Sequence, residues 1–190
     1  LAKSAELIGK KAATVFGKSS TDIKKWADSV NESFGLSDEA VVGMAANMGD
    51  LLKPMGFTES ATADMTKTML DAAGALSAWS GGTYDASQVA DIMTKAMLGE
   101  RDGLKALGIS ISAAEVEAKL LAKGQQDLTG AAKQQAEALA TQELIMEKSV
   151  DAQKAWNDGT MDSVKQQNEM NAAVADAKTS VCKFLLPILQ

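Results

Sequence analysis

A chain of 190 residues, 46% of them apolar, has material for one sizeable core or for a long helical rod. Aromatics make up only 4% while Ala and Met are plentiful, which argues against a β-sandwich and for closely approaching helices. With no histidine, one cysteine (Cys182), one arginine (Arg101) and a net charge of −6, the sequence excludes Ser-His-Asp and Cys-His nucleophile systems, the usual zinc ligand sets, an internal disulfide and nucleic-acid readout by an arginine cluster.

In chain order, the pattern predicts two helices, at 2–16 and 21–34, split by Gly17-Lys18-Ser19-Ser20 and stopped by Gly35. Val41, Met44, Met48, Leu51 and Met55 then step by three and four residues, as do Met65, Met69, Ala72, Leu76 and Trp79. Each set forms one apolar helical stripe. Gly56-Phe57-Thr58 between them supplies a glycine stop, an apolar plug and a threonine N-cap, so the expectation is an antiparallel hairpin whose stripes face each other. Pro54 should end or kink the first of these helices.

Ser80-Gly81-Gly82-Thr83 breaks the chain, and Asp85 with Gln88 forms a capping box opening a helix to about residue 98. Val89, Ile92, Met93 and Ala96 make its apolar face. Residues 98–112, LGERDGLKALGISIS, then read as a fixed corner. Gly99 stops one helix, a short helical turn follows, Gly108 stops that, and Ile109 and Ile111 serve as two apolar anchors. Ser112 and Glu115 form a second capping box, for a helix ended by Gly124. Thr129 opens the longest run, about 130–156, and Asn157-Asp158-Gly159-Thr160 turns into a last helix that ends before Pro187. That helix carries a short heptad, Met170, Val174, Ala177, Val181, Phe184 and Ile188. Three heptads or fewer do not establish a coiled coil, so docking on its own domain and pairing between copies both stay open.

The fold class expected is all-α: helical hairpins or a bundle with glycine-rich corners, with an elongated arrangement and a coiled-coil C-terminal helix left open. It divides into 1–35 (two short helices), 36–125 (a helical module with corners at 56–58, 80–84 and 99–112) and 126–190 (long helices with a turn at 157–160). Candidate packing or interface residues are Val41, Met44, Met48, Leu51, Met55, Met65, Met69, Leu76, Trp79, Val174, Val181 and Phe184. Candidate hinges are Gly56, Gly81, Gly82, Gly99, Gly108 and Gly124. No catalytic residue, cofactor or metal is expected.

Each sharper motif has a plainer reading. Gly17-Lys18-Ser19 ends like a phosphate-binding loop, but Ala12 stands where the earlier glycine belongs and no strand precedes it. Arg101 between Glu100 and Asp102 is read as a solvated turn with local ion pairs rather than a latch. Asn31-Glu32-Ser33 matches a glycosylation sequon but falls in a predicted helix. Residues 37–100 hold nine acids against Lys53, Lys67 and Lys95. Asp64, Asp71, Asp85 and Asp91 do not fall into a metal-binding spacing and are expected on polar helix faces. This acidic stretch makes a polyanion a poor partner. Trp26, Trp79 and Trp156 lie near predicted helix ends and read as packing anchors. The longest uncharged stretch, 72–84, is too short to cross a membrane, and the N-terminus has no signal-peptide core. Since the chain starts at Leu1 and stops in an apolar run, it is expected to be a piece of something longer.

Three strings, MGDLLKPMGFT (48–58), the corner 98–112 with its following AAEVEAKL, and LTGAAKQQAEALATQELIMEKSVDAQ (128–153), together with LLPIL (185–189), resemble a region of phage tail tape measure proteins. The order of the pieces matches as well, over roughly residues 34–189. The resemblance implies a non-enzymatic virion protein made in the host cytoplasm. Such proteins occupy the tail tube in several copies, set tail length and leave the tube when DNA is ejected. Partners implied are other copies (a trimer by analogy), tail tube and tail tip proteins, and tail assembly chaperones. A membrane-active helical module and a cytosolic helical adaptor are the alternative expectations. Amphipathic stripes joined by glycines also suggest a module that packs compactly in one setting and extends in another.

Overall fold

A computed structural model describes residues 2–185, with side chains placed from residue 4 to about residue 174. The described elements are all helical: α1 (Ala2–Phe16), α2 (Ser20–Phe34), α3 (Asp38–Leu52), α4 (Glu59–Trp79), α5 (Ala86–Met97), α6 (Ala113–Ala122), α7 (Gly130–Lys148), α8 (Val150–Asn157) and α9 (Asp162–Leu185). Three 3-10 segments, Gly17–Ser19, Lys53–Met55 and Arg101–Leu107, join some of them. The protein is therefore all-α, a packed helical bundle.

The helix starts follow side-chain chemistry. Ser37 and Thr58 each accept a hydrogen bond from the backbone N–H three residues on, Ala40 at 3.3 Å and Ala61 at 3.2 Å. Both capping boxes form reciprocally: Gln88 N–H to Asp85 with Asp85 N–H to Gln88, and Glu115 N–H to Ser112 with Ser112 N–H to Glu115. Ser19 before α2 and Ser149 before α8 make no such bond, and neither does Thr129 at the N-cap of α7.

The stops share one pattern. At Gly35, Gly99, Gly108 and Gly124 the glycine N–H bonds three residues back and the next N–H bonds five back, as in Glu100 N–H to the Lys95 carbonyl at 2.9 Å. This is the Schellman closure, and it needs the left-handed backbone that Gly99 adopts at φ 104°. Gly56 ends the Lys53–Met55 segment in the same left-handed region, with Pro54 in its first turn.

The core is one contiguous cluster running from Ala12 to Ala152, through all three sequence segments. α4 lies deep in it and contributes Met69, Leu70 and Ala73, none exposed. Helices approach closely where glycine removes a side chain. A Cβ on Gly49 of α3 would stand 2.7 Å from the Phe16 ring and Val15 of α1. One on Gly74 of α4 would stand 2.3 Å from the Phe34 ring of α2.

Two expectations change here. The hairpin of α3 and α4 forms, but α3 packs more extensively on α1, and α4 on α5 and α8. The stripes therefore face several neighbours rather than one another, because a helix with apolar residues around most of its girth can bury them on more than one partner. The single run expected at 130–156 is divided at Ser149, whose φ of −107° departs from helical values. Its hydroxyl donates back to the Ile145 carbonyl at 2.7 Å and accepts from Gln153 Nε2 at 2.8 Å. Serine back-bonding of this kind bends helices.

Candidate functional site

The predicted stripe residues separate by environment. Val41, Met44, Met48, Met55, Met65, Met69 and Leu76 are buried. Leu51 and Trp79 stand 47% and 50% exposed, each at the edge of its stripe near a helix end, and Val174 is also exposed. Val181 and Phe184 lie outside the residues whose side chains are described. The six candidate hinges all have positive φ. Gly56 is braced from α7: Gln135 Nε2 donates to the Met55 carbonyl at 2.7 Å and lies 2.8 Å from where a Gly56 Cβ would be.

The Gly99–Ser112 corner forms as a fixed unit. Leu104, Ile109 and Ile111 are buried while Ser110 and Ser112 face outward. Lys105 pairs with Asp102 at 2.8 Å, and Arg101 Nε donates to the Thr141 hydroxyl at 3.4 Å. Behind the corner, Lys148 holds both the Ser110 carbonyl at 2.6 Å and Glu115 at 2.5 Å. That bond, with those from the Ser112 backbone and hydroxyl, lowers the Glu115 carboxyl from 4.5 to about 2. Lys119 bridges Glu143 and Glu147, and Lys123 pairs with Glu143, so α6 is tied to α7 by charge.

Among the described residues no group of three His, Cys, Asp or Glu could hold a metal ion, and no helix is long and apolar enough to cross a membrane. Gly17-Lys18-Ser19 forms a short 3-10 connection in which Lys18 N–H points to Glu59 at 3.4 Å. An acid there opposes phosphate binding.

One concavity is formed by residues that the sequence pattern did not single out together. A cleft of about 380 Å³ lies between α2, α4, α7 and α8, lined by Phe34, Thr68, Asp71, Met146, Gln153 and Trp156 among others. Trp26 lies mid-α2 rather than at a helix end, and its Nε1–H donates to Asp71 Oδ1 at 3.0 Å. Trp26 meets Phe34 edge-on at 6.3 Å, and Phe34 meets Trp156 at 6.5 Å. Asp71 is at the surface, yet the protein atoms crowding its carboxyl raise its pKa, against the Trp26 bond and the Lys67 charge. The signal available in the sequence was the four-residue spacing of Trp26, Val30 and Phe34, which puts all three on one face of α2.

The fold and this geometry define the class: an all-α, packed helical bundle. Compared with family models, curated proteins and solved structures, the chain finds no match.

Proposed function

We propose that this chain is a helical portion of a phage tail tape measure protein, carried in the virion after assembly in the host cytoplasm. The reading rests on one observation, the order of the strings that resemble that family. It is supported by where those strings sit: MGDLLKPMGFT closes the α3–α4 corner, residues 98–112 form the corner before α6, and 128–153 cover α7 and the start of α8. Two of them are corners of the fold and the third is mostly one long helix. Partners on this reading are other copies, tail tube and tip proteins, and tail assembly chaperones. The glycine corners would let the packed helices separate as units when the chain enters a narrow tube.

Mass spectrometry of purified virions is the first test, with peptides of this chain expected in the tail fraction. Deleting residues 38–157 from the phage gene should then shorten tails by about 180 Å at about 1.5 Å per helical residue, and duplicating them should lengthen tails equally. Absence from virions, or tails of unchanged length, overturns the proposal.

A further inference from the structure

We infer that the cleft between α2, α4, α7 and α8 is a binding site for an organic cation, the alkylammonium head of a free amine or of a lysine side chain. The inference does not depend on the tail reading.

Charge provides the first argument. Asp71 accepts one hydrogen bond, from the Trp26 indole to Oδ1, and no lysine or arginine nitrogen of the described residues lies within 4.0 Å of its carboxylate. Lys67, one turn earlier on α4, makes its ion pair with Asp64 at 3.1 Å and acts on Asp71 only through its charge. A carboxylate held among protein atoms with a single neutral donor has capacity for a cation. Asp71 is the one charged side chain among the residues that line the cleft.

Aromatic lining provides the second. Phe34 and Trp156 form part of the cleft, and the electron-rich faces of such rings attract ammonium groups. The protein itself uses the Trp156 ring in this way. Lys165 Nζ sits 4.6 Å from the Trp156 ring centroid and donates to the Trp156 carbonyl. Gln153 adds an amide whose nitrogen is already committed to the Met146 carbonyl and the Ser149 hydroxyl, at 2.9 and 2.8 Å. Its oxygen remains as an acceptor. Thus the cleft brings a carboxylate beside aromatic residues, with Gln153 and apolar Met146 next to them.

The three tryptophans make the test internal. In a ¹H–¹⁵N spectrum of the whole chain, titration with choline should move the Trp26 and Trp156 indole signals and leave Trp79, at the distant end of α4, in place. 3,3-Dimethylbutanol, the uncharged carbon analogue of choline, should bind at least about tenfold more weakly. Putrescine and N-acetyl-lysine methylamide separate a free amine from a side chain: the tighter of the two identifies the source. Asp71→Asn keeps an acceptor for Trp26, so the fold persists, and it should weaken choline at least about tenfold. Three results overturn the inference: equal binding of choline and its neutral analogue, shifts matched by sodium chloride at equal ionic strength, or unchanged binding in Asp71→Asn.

Discussion

The stretch from α3 to α5 and the stretch from the Gly99 corner to α7 are held together by different physics. In the first, Met48, Met69, Met93 and the alanines of α4 are sealed from solvent, and Gly74 lets helices approach to ring contact. In the second, α6 buries only Val116 and Leu120, packs chiefly on α7, and is fastened by Lys119, Lys123 and Lys148 to glutamates. Burial is insensitive to salt and moderate pH, whereas exposed ion pairs are individually weak and titrate. The α3–α5 stretch therefore rests chiefly on burial, whereas α6 adds a cap and ion pairs to two buried side chains.

The largest break in that comparison should come from the apolar half. Met69→Ala removes a fully buried side chain and should cost about 2–5 kcal/mol in urea unfolding, while Leu121→Ala on exposed α6 should stay within about 0.5 kcal/mol. Gly74→Ala should cost about 1–3 kcal/mol by forcing the Phe34 ring aside, partly offset by the helix preference of alanine. If it stabilises instead, the close approach of α2 and α4 is wrong. On the polar side, Ser112→Ala removes the N-cap of α6 and should cost about 1 kcal/mol.

The smallest effect is the pH response. Glu115 has a folded pKa depressed to about 2 from 4.5, so its contribution is complete above about pH 4.5 and disappears as pH falls towards 2. Glu143, lowered by Lys123 and then Lys119, acts in the same direction. Asp71, raised by crowding, has the opposite sign: it costs stability above its folded pKa and ceases to do so on protonation. Acid titration followed by NMR should loosen α6 from α7 before α4 is affected, and Glu115→Gln should flatten that early phase.

Helix boundaries were legible in the sequence because their chemistry is local. A capping serine, a glycine in left-handed backbone and a three-four apolar step act within a few residues, so Asp85–Gln88, Ser112–Glu115 and the stops at Gly99, Gly108 and Gly124 could be read directly. Partner choice was not legible. Periodicity identifies which face of α3 is apolar, but the decision for α1 depends on Gly49 fitting Phe16, and the docking of α9 on α2 joins Asn168 to the Ser33 carbonyl across the chain. The bend at Ser149 escaped notice because one serine inside a strong helical pattern carries little weight. The Asp71 cleft escaped for a related reason. An aspartate on a polar face looks solvated until a tryptophan from another helix reaches it.

The Schellman closures at Gly108 and Gly124 have a further consequence. They bracket α6, so both of its ends turn on residues that need no helical hydrogen bond from beyond the turn. The segment can leave α7 as an intact cylinder, giving up a few ion pairs and two buried side chains without unwinding. Its amides should accordingly exchange with solvent through a shared opening far less costly than global unfolding, while those of α4 wait for the whole molecule to unfold.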